Sequence, residues 1–247
     1  MARYVLEVMY DGTQFHGSQL QGDTPTVQLA VNNTLSTIFR KPLASYGASR
    51  TDEGVHALCN YYHIDIDDDI DFDLQYRCNA ILPHGVAVKR IARVADAFNA
   101  RFDAIARRYR YRIYAQRNPF LYNRAFFFPL PLNEDALHQT AAIIKEYKQF
   151  QSFCKRRSQS KTYDCTIMQS RWQRHEGELQ YIVEGNRFLR GMVRGLVGTQ
   201  LQVARGKMSV DDFRAIIEVQ DCTKAFFDVP GHGLYLENIE YPDGVLL

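Results

Sequence analysis

Strand-like and helix-like segments alternate along this chain in two rounds, and this alternation limits the fold more than any other feature. In the first round, alternating apolar residues over 3–12 (RYVLEVMYDG) predict a strand that ends at Asp11 and Gly12. An amphipathic helix with Thr24 as its N-cap, a strand over 57–66, a short helix and another strand follow. This order, with short connections, favours an antiparallel or mixed sheet with helices on one face.

A second round of the same kind begins at RRYRYRIYA. Its arginines alternate with tyrosine and isoleucine, a period of two that predicts a strand with one polar and one apolar face. Asn133 is the predicted N-cap of the next helix, and strands follow over 162–172 and 179–184. The second half of the chain therefore repeats the α+β character of the first.

The segment 187–201 has helical periodicity, and we predict one helix over its whole length. Its arginines recur on one side at i, i+3 and i+7: Arg187, Arg190 and Arg194. A capping box over 209–212 begins a further helix, and 234–241 is predicted to be the last strand.

The two rounds meet near residue 105, where no low-complexity linker separates them. We expect an N-terminal half over 1–105 and a C-terminal half over 106–247, both α+β with mixed or antiparallel sheets of the ferredoxin-like or RRM-like kind. Two halves joined without slack are expected to flank a central cleft, which is a common place for ligands to bind.

Composition argues against several classes of protein. No apolar run among the 247 residues approaches the roughly 20 that a membrane span needs, and the N-terminus lacks the layout of a signal peptide. The five cysteines are scattered without a CxxC pair, which argues against a disulfide framework and a zinc site. We therefore expect a cytoplasmic protein with no membrane partner.

The net charge of +2 conceals an uneven distribution, because residues 65–73 alone hold six aspartates. This run lacks the turn glycine and the distal glutamate of a calcium loop, so we interpret it as an acidic loop rather than a metal site. Positive charge gathers in three stretches, at 106–114, 154–161 and 186–195. Basic residues interleaved with aromatic ones favour binding of RNA or DNA.

The segment ASRTDEGVHA (48–57) crowds polar residues at the start of a predicted strand. Arg50 lies two residues before Asp52, and a neighbouring guanidinium favours the charged form of a carboxylate. An ionised carboxylate can act as a nucleophile, a general base or an anchor for a cation. The same residues also suit an ordinary turn in which Asp52 bonds its own backbone. His56 is interpreted as a hydrogen-bonding strut, and no GxSxG, P-loop or GxGxxG motif is present.

This segment closely resembles the catalytic motif of the TruA family of tRNA pseudouridine synthases. Further blocks follow in the family's order along nearly the whole chain: VMYDGTQFHGSQLQ, TVQLAVNNTL, NAILPHGVAV, FNARFDAIARRYRYRIY, NRFLRGMVRGLVG and HGLYLENIEYP. The resemblance implies the pseudouridine synthase fold and isomerisation of uridine in the anticodon arm of tRNA, at positions 38–40. It also implies a homodimer and a reaction with no metal and no organic cofactor.

The resemblance gives roles to individual residues. Asp52 matches the catalytic aspartate, whose carboxylate attacks the sugar or the base, or drives a glycal route; these alternatives stay open. Tyr109 matches the tyrosine that stacks on the target base, and Tyr111 is the alternative in register. Arg194 matches the arginine that pairs with the catalytic carboxylate, and Leu234 matches the apolar residue that packs against the base.

Uridine in a folded stem has to be extruded before its glycosidic bond can be reached. Arg50 is placed to fill the vacated space or to hold a phosphate. Several positions near the motif depart from the family pattern: Ser18 replaces a tryptophan, Ser49 a glycine, and Cys59, Asn60 and Tyr61 a small residue and a glutamine. KTYDCTI likewise replaces a simpler Arg-Thr-Ile pattern. None of these departures touches Asp52, but they bear on which uridine is modified.

Three other functions stay open at this point. The chain could be an RNA-binding protein on the same scaffold with weak or lost catalysis. It could be a pseudouridine synthase that acts on a different RNA site. A metal-dependent enzyme that uses the aspartate run ranks last.

Overall fold

The computed structural model describes residues 1–67, 70, 73–156, 158 and 160–246. The chain forms two compact units: the first contains residues 1–105 together with 235–247, and the second contains residues 106–234. The C-terminal half was predicted to extend to residue 247, whereas its final segment, 235–247, belongs to the first unit. This segment lies there because its strand pairs with a strand of the first unit.

The structure contains nine strands and five α-helices among the described residues. In chain order the strands are β1 (Ala2–Tyr10), β2 (Tyr46–Gly47), β3 (His56–Ile66), β4 (Val86–Val94), β5 (Ala106–Tyr114), β6 (Phe126–Phe127), β7 (Ile167–His175), β8 (Glu178–Gly185) and β9 (Leu234–Glu240). The helices are α1 (Val27–Phe39), α2 (Leu74–Ile81), α3 (Glu134–Ile144), α4 (Met192–Ala204) and α5 (Val210–Val219).

In the first unit, β1 lies between β4 and β3 and is antiparallel to both. The other edge of β3 pairs with β9 in parallel, at His56 and Ala57, and with the short strand β2 in antiparallel. Apolar residues on α1 recur at i, i+4 and i+8 and are buried: Val27, Val31 and Leu35. This unit therefore has a mixed sheet and an apolar helix face, as the sequence predicted.

The predicted N-cap of α1 is wrong by two residues. The carbonyl of Pro25 accepts a hydrogen bond from the His16 N–H at 2.9 Å, so the chain is still part of a loop contact at that point. Thr26 is the N-cap, with an extended backbone and a side chain that accepts from the Leu29 N–H. Thr24 precedes this loop contact and caps nothing.

In the second unit, β8 pairs in antiparallel with β5 and β7, and the short strand β6 pairs with β5 in parallel. The core of this unit is aromatic and aliphatic, and its largest side chains are almost fully inaccessible: Leu137, Ile144, Phe150, Phe153, Tyr181 and Phe213. Parallel and antiparallel pairs thus occur together with helices in both units. The predicted α+β fold with mixed sheets is confirmed.

The single helix predicted over 187–201 is wrong in its first part. Gly191 has a φ of 72°, which interrupts a right-handed helix, and α4 begins only at Met192. The carbonyl of Arg190 accepts a hydrogen bond from the Lys155 N–H at 2.9 Å instead of an intrahelical one. Arg187 and Arg190 therefore precede the helix, and the predicted stripe of three arginines on one helix face does not form.

None of the helices in the described part of the chain has the length and apolar character needed to cross a membrane. Within the same ranges, no three His, Cys, Asp or Glu side chains come together as potential metal ligands. Four positions of the acidic run, 68, 69, 71 and 72, lie outside the described residues.

Candidate active site

The ASRTDEGVHA segment forms the loop between β2 and β3, which we call the aspartate loop (residues 48–55). Its turn is closed by a hydrogen bond from the Val55 N–H to the Asp52 carbonyl at 3.2 Å. Gly54 makes this turn possible because its φ of 76° is unfavourable for residues with a side chain. Asp52 is half-buried, whereas Arg50 is exposed. The loop thus has the turn that its sequence suggested, with Asp52 at the turn itself.

The backbone of Thr51, immediately before Asp52, is fixed by a neighbouring loop. The Thr51 N–H donates to the Ser18 hydroxyl at 2.8 Å, and the Ser18 N–H donates to the Thr51 carbonyl at 3.1 Å. The Thr51 hydroxyl is also 2.9 Å from the hydroxyl of Tyr10. Burial raises the pKa of Tyr10, so the Tyr10 hydroxyl stays protonated and available for this hydrogen bond. Both sides of Thr51 are therefore restrained.

Asn60 restrains the start of the loop from within β3. Its side chain is fully buried and exchanges two hydrogen bonds with Ser49: Oδ1 accepts from the Ser49 N–H at 3.3 Å, and Nδ2 donates to the Ser49 carbonyl at 3.0 Å. Nδ2 also donates to the Tyr10 hydroxyl at 3.2 Å. Ser18 and Asn60, which depart from the family pattern, thus both bind the aspartate loop.

Two glycines let the N-terminal loop approach the aspartate loop closely. A Cβ on Gly12 would lie 2.0 Å from the Val55 carbonyl oxygen, so no side chain fits there. Gly17 has a φ of 96°, and a Cβ on it would lie 2.9 Å from the Thr51 carbonyl oxygen. The Tyr-Asp-Gly pattern near the start of the chain is therefore explained by a close approach to the aspartate loop.

His56 follows the aspartate loop and has a structural position. Its ring is buried, stacks on Tyr235 with centroids 4.5 Å apart, and accepts a hydrogen bond from the Gly12 N–H through Nδ1 at 3.2 Å. This nitrogen also lies 3.3 Å from the Asp11 carboxylate. The histidine thus links three segments of the first unit, as expected of a strut.

The two candidate tyrosines of the second unit have different surroundings on β5. Tyr111 is fully buried, and its hydroxyl donates to the Pro230 carbonyl at 2.8 Å. Burial raises the pKa of Tyr111, so this hydroxyl remains a donor. Tyr109 retains 7% of its exposure and contacts Phe188 edge to face at 5.2 Å. Both rings are buried in this unit, and Tyr111 is the more deeply buried of the two.

Arg194 lies in the first turn of α4 and is half-buried. Its Nε donates to the Val229 carbonyl at 2.9 Å, next to the Pro230 carbonyl that Tyr111 binds. Leu234 follows a few residues later at the start of β9 and is 6% exposed. The segment from Val229 to Leu234 thus organises both Arg194 and Tyr111 within the second unit.

The arginines of β5 are less available to phosphates than their sequence suggested. Arg112 forms two hydrogen bonds with Glu178 on β8, at 2.7 and 2.5 Å, and Arg108 pairs with Glu184 at 2.5 Å. Opposite charges on neighbouring strands stabilise the pairing of the strands. These two arginines therefore serve the sheet, and the more exposed positive charge of this unit lies elsewhere.

Two basic stretches of the second unit meet at the Lys155–Arg190 backbone hydrogen bond. Arg156 and Arg190 are exposed there, and Arg187 donates to the Thr162 hydroxyl at 2.9 Å. Positions 157 and 159 of this cluster lie outside the described residues. Lys155, Arg156, Arg187 and Arg190 thus form a common basic surface, although not along one helix.

The structure brings the expected residues together in two sets. Arg50 and Asp52 share the aspartate loop of the first unit, whereas Tyr109, Arg194 and Leu234 belong to the second unit. Three side chains that no sequence motif linked to the aspartate loop hold it in place: Tyr10, Ser18 and Asn60. A buried asparagine in the otherwise apolar strand HALCNYYHI was the available signal, because buried amides need partners.

Comparison with known proteins points to one family. The sequence model of a family described as tRNA pseudouridine synthase matches residues 147–242. The chain is 38% identical, over the full length of both proteins, to a tRNA pseudouridine synthase A from Porphyromonas gingivalis. A protein of the same name from Bacteroides fragilis is 40% identical, and the match covers 98% of each protein. Another from Staphylococcus aureus strain MRSA252 is 34% identical, and the match covers 99% of this chain and 94% of that protein.

Proposed function

This chain belongs to the tRNA pseudouridine synthase A family, and we propose that it isomerises uridine to pseudouridine in the anticodon stem-loop of tRNA, at positions 38–40. The observation that carries the proposal is the restraint of the aspartate loop just before Asp52. Hydrogen bonds fix both the N–H and the carbonyl of Thr51, and the carbonyl of Ser49. Catalytic groups need such fixed positions, because small displacements reduce rates strongly.

The reaction is an isomerisation and consumes no co-reactant. The bond between C1′ and N1 of the uridine breaks, the base turns, and a bond forms between C1′ and C5. The proton on C5 is lost and N1 gains a proton, so atoms and charge balance. Asp52 supplies the carboxylate, either as the nucleophile at the sugar or the base, or as the group that drives a glycal route.

Residues of the second unit hold the base and the carboxylate in this proposal. Tyr109 stacks on the target base and takes part in removal of the C5 proton. Both tyrosines are buried, but Tyr109 keeps 7% exposure whereas Tyr111 keeps none. Arg194, whose Nε is held by the Val229 carbonyl, pairs with the carboxylate of Asp52. Leu234 supplies an apolar surface against the base.

The remaining basic residues bind the RNA backbone. Arg50, which is exposed on the aspartate loop, fills the position of the extruded base or holds a neighbouring phosphate. Arg156 and Arg190, on the surface formed by the two basic stretches, contact phosphates farther along the arm. No metal ion or organic cofactor has a part in this scheme.

We further infer that the protein acts as a homodimer in the cytoplasm. A tRNA substrate requires access to the cytoplasmic pool, and the five cysteines are free thiols, which suits a reducing compartment. The second unit exposes large aromatic side chains, Phe120 at 88% and Tyr122 at 74%, that a second subunit could cover. Light scattering at micromolar concentration should give the mass of a dimer, and the mass of a monomer would refute this inference.

The site of modification is tested with unmodified tRNA transcripts that contain a single uridine at position 38, 39 or 40. Wild-type protein should convert uridine at these positions to pseudouridine. After the RNA is labelled with carbodiimide, primer extension should stop beside each pseudouridine. A transcript with its uridine in the acceptor stem is the control. Conversion of that control instead would show that the protein is a synthase with a different target.

An RNA-binding protein without catalysis is the competing function. It predicts that wild-type protein and the Asp52→Ala variant bind the transcript equally well and that neither forms pseudouridine. The negative charge of Asp52 speaks against this alternative, since a carboxylate repels phosphates and contributes nothing to binding alone. Product formation by the wild type would exclude it.

A further inference from the structure

A groove of about 480 Å³ lies in the first unit beside the aspartate loop. Ser49 and Arg50 of that loop form one end of it, and Arg3, Tyr46, Arg101 and Phe102 line the remainder. Its volume lies within the roughly 300–1,000 Å³ of typical ligand sites. All of its lining residues come from the first unit, and apart from Arg50 none was given a role by the sequence motifs.

One wall of the groove is a tightly fixed turn, residues 99–103. The Ala100 N–H donates to Nδ1 of His63 at 3.2 Å, and the Ala100 carbonyl accepts from the Tyr241 hydroxyl at 2.5 Å. The Asn99 side chain caps the turn by accepting from the N–H groups of Arg101 and Phe102 at 3.0 and 3.2 Å. Arg101 and Phe102 are therefore held in place although their side chains face the solvent.

Two of the aromatic residues that line this groove are unusually exposed. Phe102 is 76% exposed and Tyr46 is 56% exposed, whereas large aromatic side chains are usually buried. The Arg101 guanidinium lies 5.5 Å from the centre of the Phe102 ring, and the Tyr46 ring stacks on His63 at 5.2 Å. The groove thus presents aromatic rings beside cationic groups on a fixed backbone, which suits stacking with another flat ring.

The charge of the groove is positive. The carboxylate of Asp65 is held by Arg3 through two hydrogen bonds, at 2.7 and 2.8 Å, so these two charges offset each other. The hydrogen bond from Arg3 also lowers the pKa of Asp65, which keeps the pair ionised. His63 is kept neutral near pH 7 because burial lowers its pKa. Arg50 and Arg101 also line the groove, so the formal charge of its lining is positive.

We propose that this groove binds one unpaired nucleotide of the tRNA substrate, next to the target uridine. The base stacks on Phe102 or Tyr46, and Arg50 and Arg101 bind the adjoining phosphate. Arg50 and Asp52 are separated by one residue, so their Cα atoms are at most about 7 Å apart. The bound nucleotide is therefore a near neighbour of the uridine at Asp52. This inference rests on the proposed function and specifies how the RNA is held.

Binding of an unmodified tRNA transcript to three variants tests the proposal: Phe102→Ala, Tyr46→Ala and Arg101→Gln. Loss of a stacked base should weaken binding by about 5- to 150-fold for the aromatic variant that holds it. Arg101→Gln should reduce the slope of log affinity against log salt by about 0.7–0.9.

Matched controls come from the same unit. Tyr76→Ala removes an aromatic side chain on α2 that is 72% exposed and outside the groove, and Arg93→Gln removes an exposed arginine on β4. Both controls should bind RNA like wild type. Thermal melting of each variant verifies that it is folded, which is expected since the side chains concerned are exposed.

Two results would overturn the proposal. The first is equal RNA affinity of Phe102→Ala, Tyr46→Ala and Tyr76→Ala. The second is a change in oligomeric mass for the groove variants with unaltered RNA affinity, which would assign the surface to a second copy of the chain. Failure of the proposed function has a different signature, since wild-type protein would then form no pseudouridine whatever the binding titrations give.

Discussion

The restraint of the aspartate loop by Asn60 leads to the most specific prediction. The Asn60→Ala variant removes the side chain that bonds both the N–H and the carbonyl of Ser49. Leaving a buried polar group without a partner costs about 1–3 kcal/mol. Because Ser49 is only half-buried, water can reach it, and the lower end of that range applies to each group. The expected loss is about 2–3 kcal/mol in the free energy of unfolding.

The same variant should lose catalytic rate, since the loop that carries Asp52 is then held less firmly. A misplacement of about 1 Å can reduce a rate roughly 100-fold, so we expect kcat to fall at least tenfold. RNA binding should change little, because Asn60 is fully buried and does not reach the surface. Urea denaturation gives the stability, and release of tritium from tRNA labelled at C5 of uridine gives the rate.

Asn79→Ala is the matched control. Asn79 makes the same pair of bonds to a backbone residue, with Val88 at 2.9 and 2.8 Å, but it lies on α2 and does not touch the aspartate loop. This variant should lose stability and retain kcat. If Asn60→Ala loses stability and keeps the wild-type kcat, then the position of Asp52 does not depend on Asn60 and the reasoning is refuted.

Three further predictions follow from other contacts. Gly12→Ala should abolish activity and destabilise the fold, because its Cβ would lie 2.0 Å from the Val55 carbonyl oxygen. Gly22→Ala has open space for its Cβ but a φ of 55°, so this control should lose some stability and stay active. Equal activity of both variants would contradict the close approach. Glu178→Gln should reduce the free energy of unfolding by about 1–3 kcal/mol, because its partner Arg112 is only 25% exposed. Glu184→Gln should reduce it by less than about 1 kcal/mol, because its partner Arg108 is 43% exposed. Urea titrations measure both losses, and the reverse order would contradict this reasoning. Burial lowers the pKa of His63, so the unfolded chain binds more protons than the folded one, and stability should fall as the pH drops through about 6.5. His63→Asn should weaken this pH dependence of stability. Urea titrations between pH 7 and 5 measure it, and an equal dependence in wild type and variant would count against this explanation.

Local sequence patterns were sufficient for much of the fold. The alternation in RYVLEVMYDG and RRYRYRIYA became β1 and β5, because residues of period two place one face in the core. The cap at Asn133 and the capping box at Ser209 formed as predicted, with each side chain bonding a backbone N–H three residues later. These features are decided within a few residues of the chain.

Other features depend on distant contacts. The helical pattern over 187–201 continues through Gly191, and only the Lys155–Arg190 hydrogen bond shows why the chain does not become helical earlier. The strands β2 and β6 contain two residues each, too few for any periodicity. The choice between Thr24 and Thr26 as the cap was likewise made by the His16–Pro25 contact.

The candidate site also has one part that local sequence predicts and one part that depends on distant contacts. The aspartate loop could be identified from its own residues, since Arg50, Asp52 and Gly54 are adjacent in sequence. The side chains that hold it could not, because Ser18 and Asn60 are 31 and 11 residues from Ser49. Their departure from the family pattern was visible in the sequence, but their partnership with the loop required the tertiary structure.

We propose that the Asp52 carboxylate acts on uridine in tRNA, and this can be tested directly. Single-turnover release of tritium from C5-labelled tRNA should be rapid for wild type and fall to background for Asp52→Asn, while the affinity for tRNA stays within a few-fold. Glu53→Gln is the control, because Glu53 is the adjacent carboxylate and its side chain is 73% exposed. Wild-type release rates in Asp52→Asn, or the same loss in Glu53→Gln, would contradict the account.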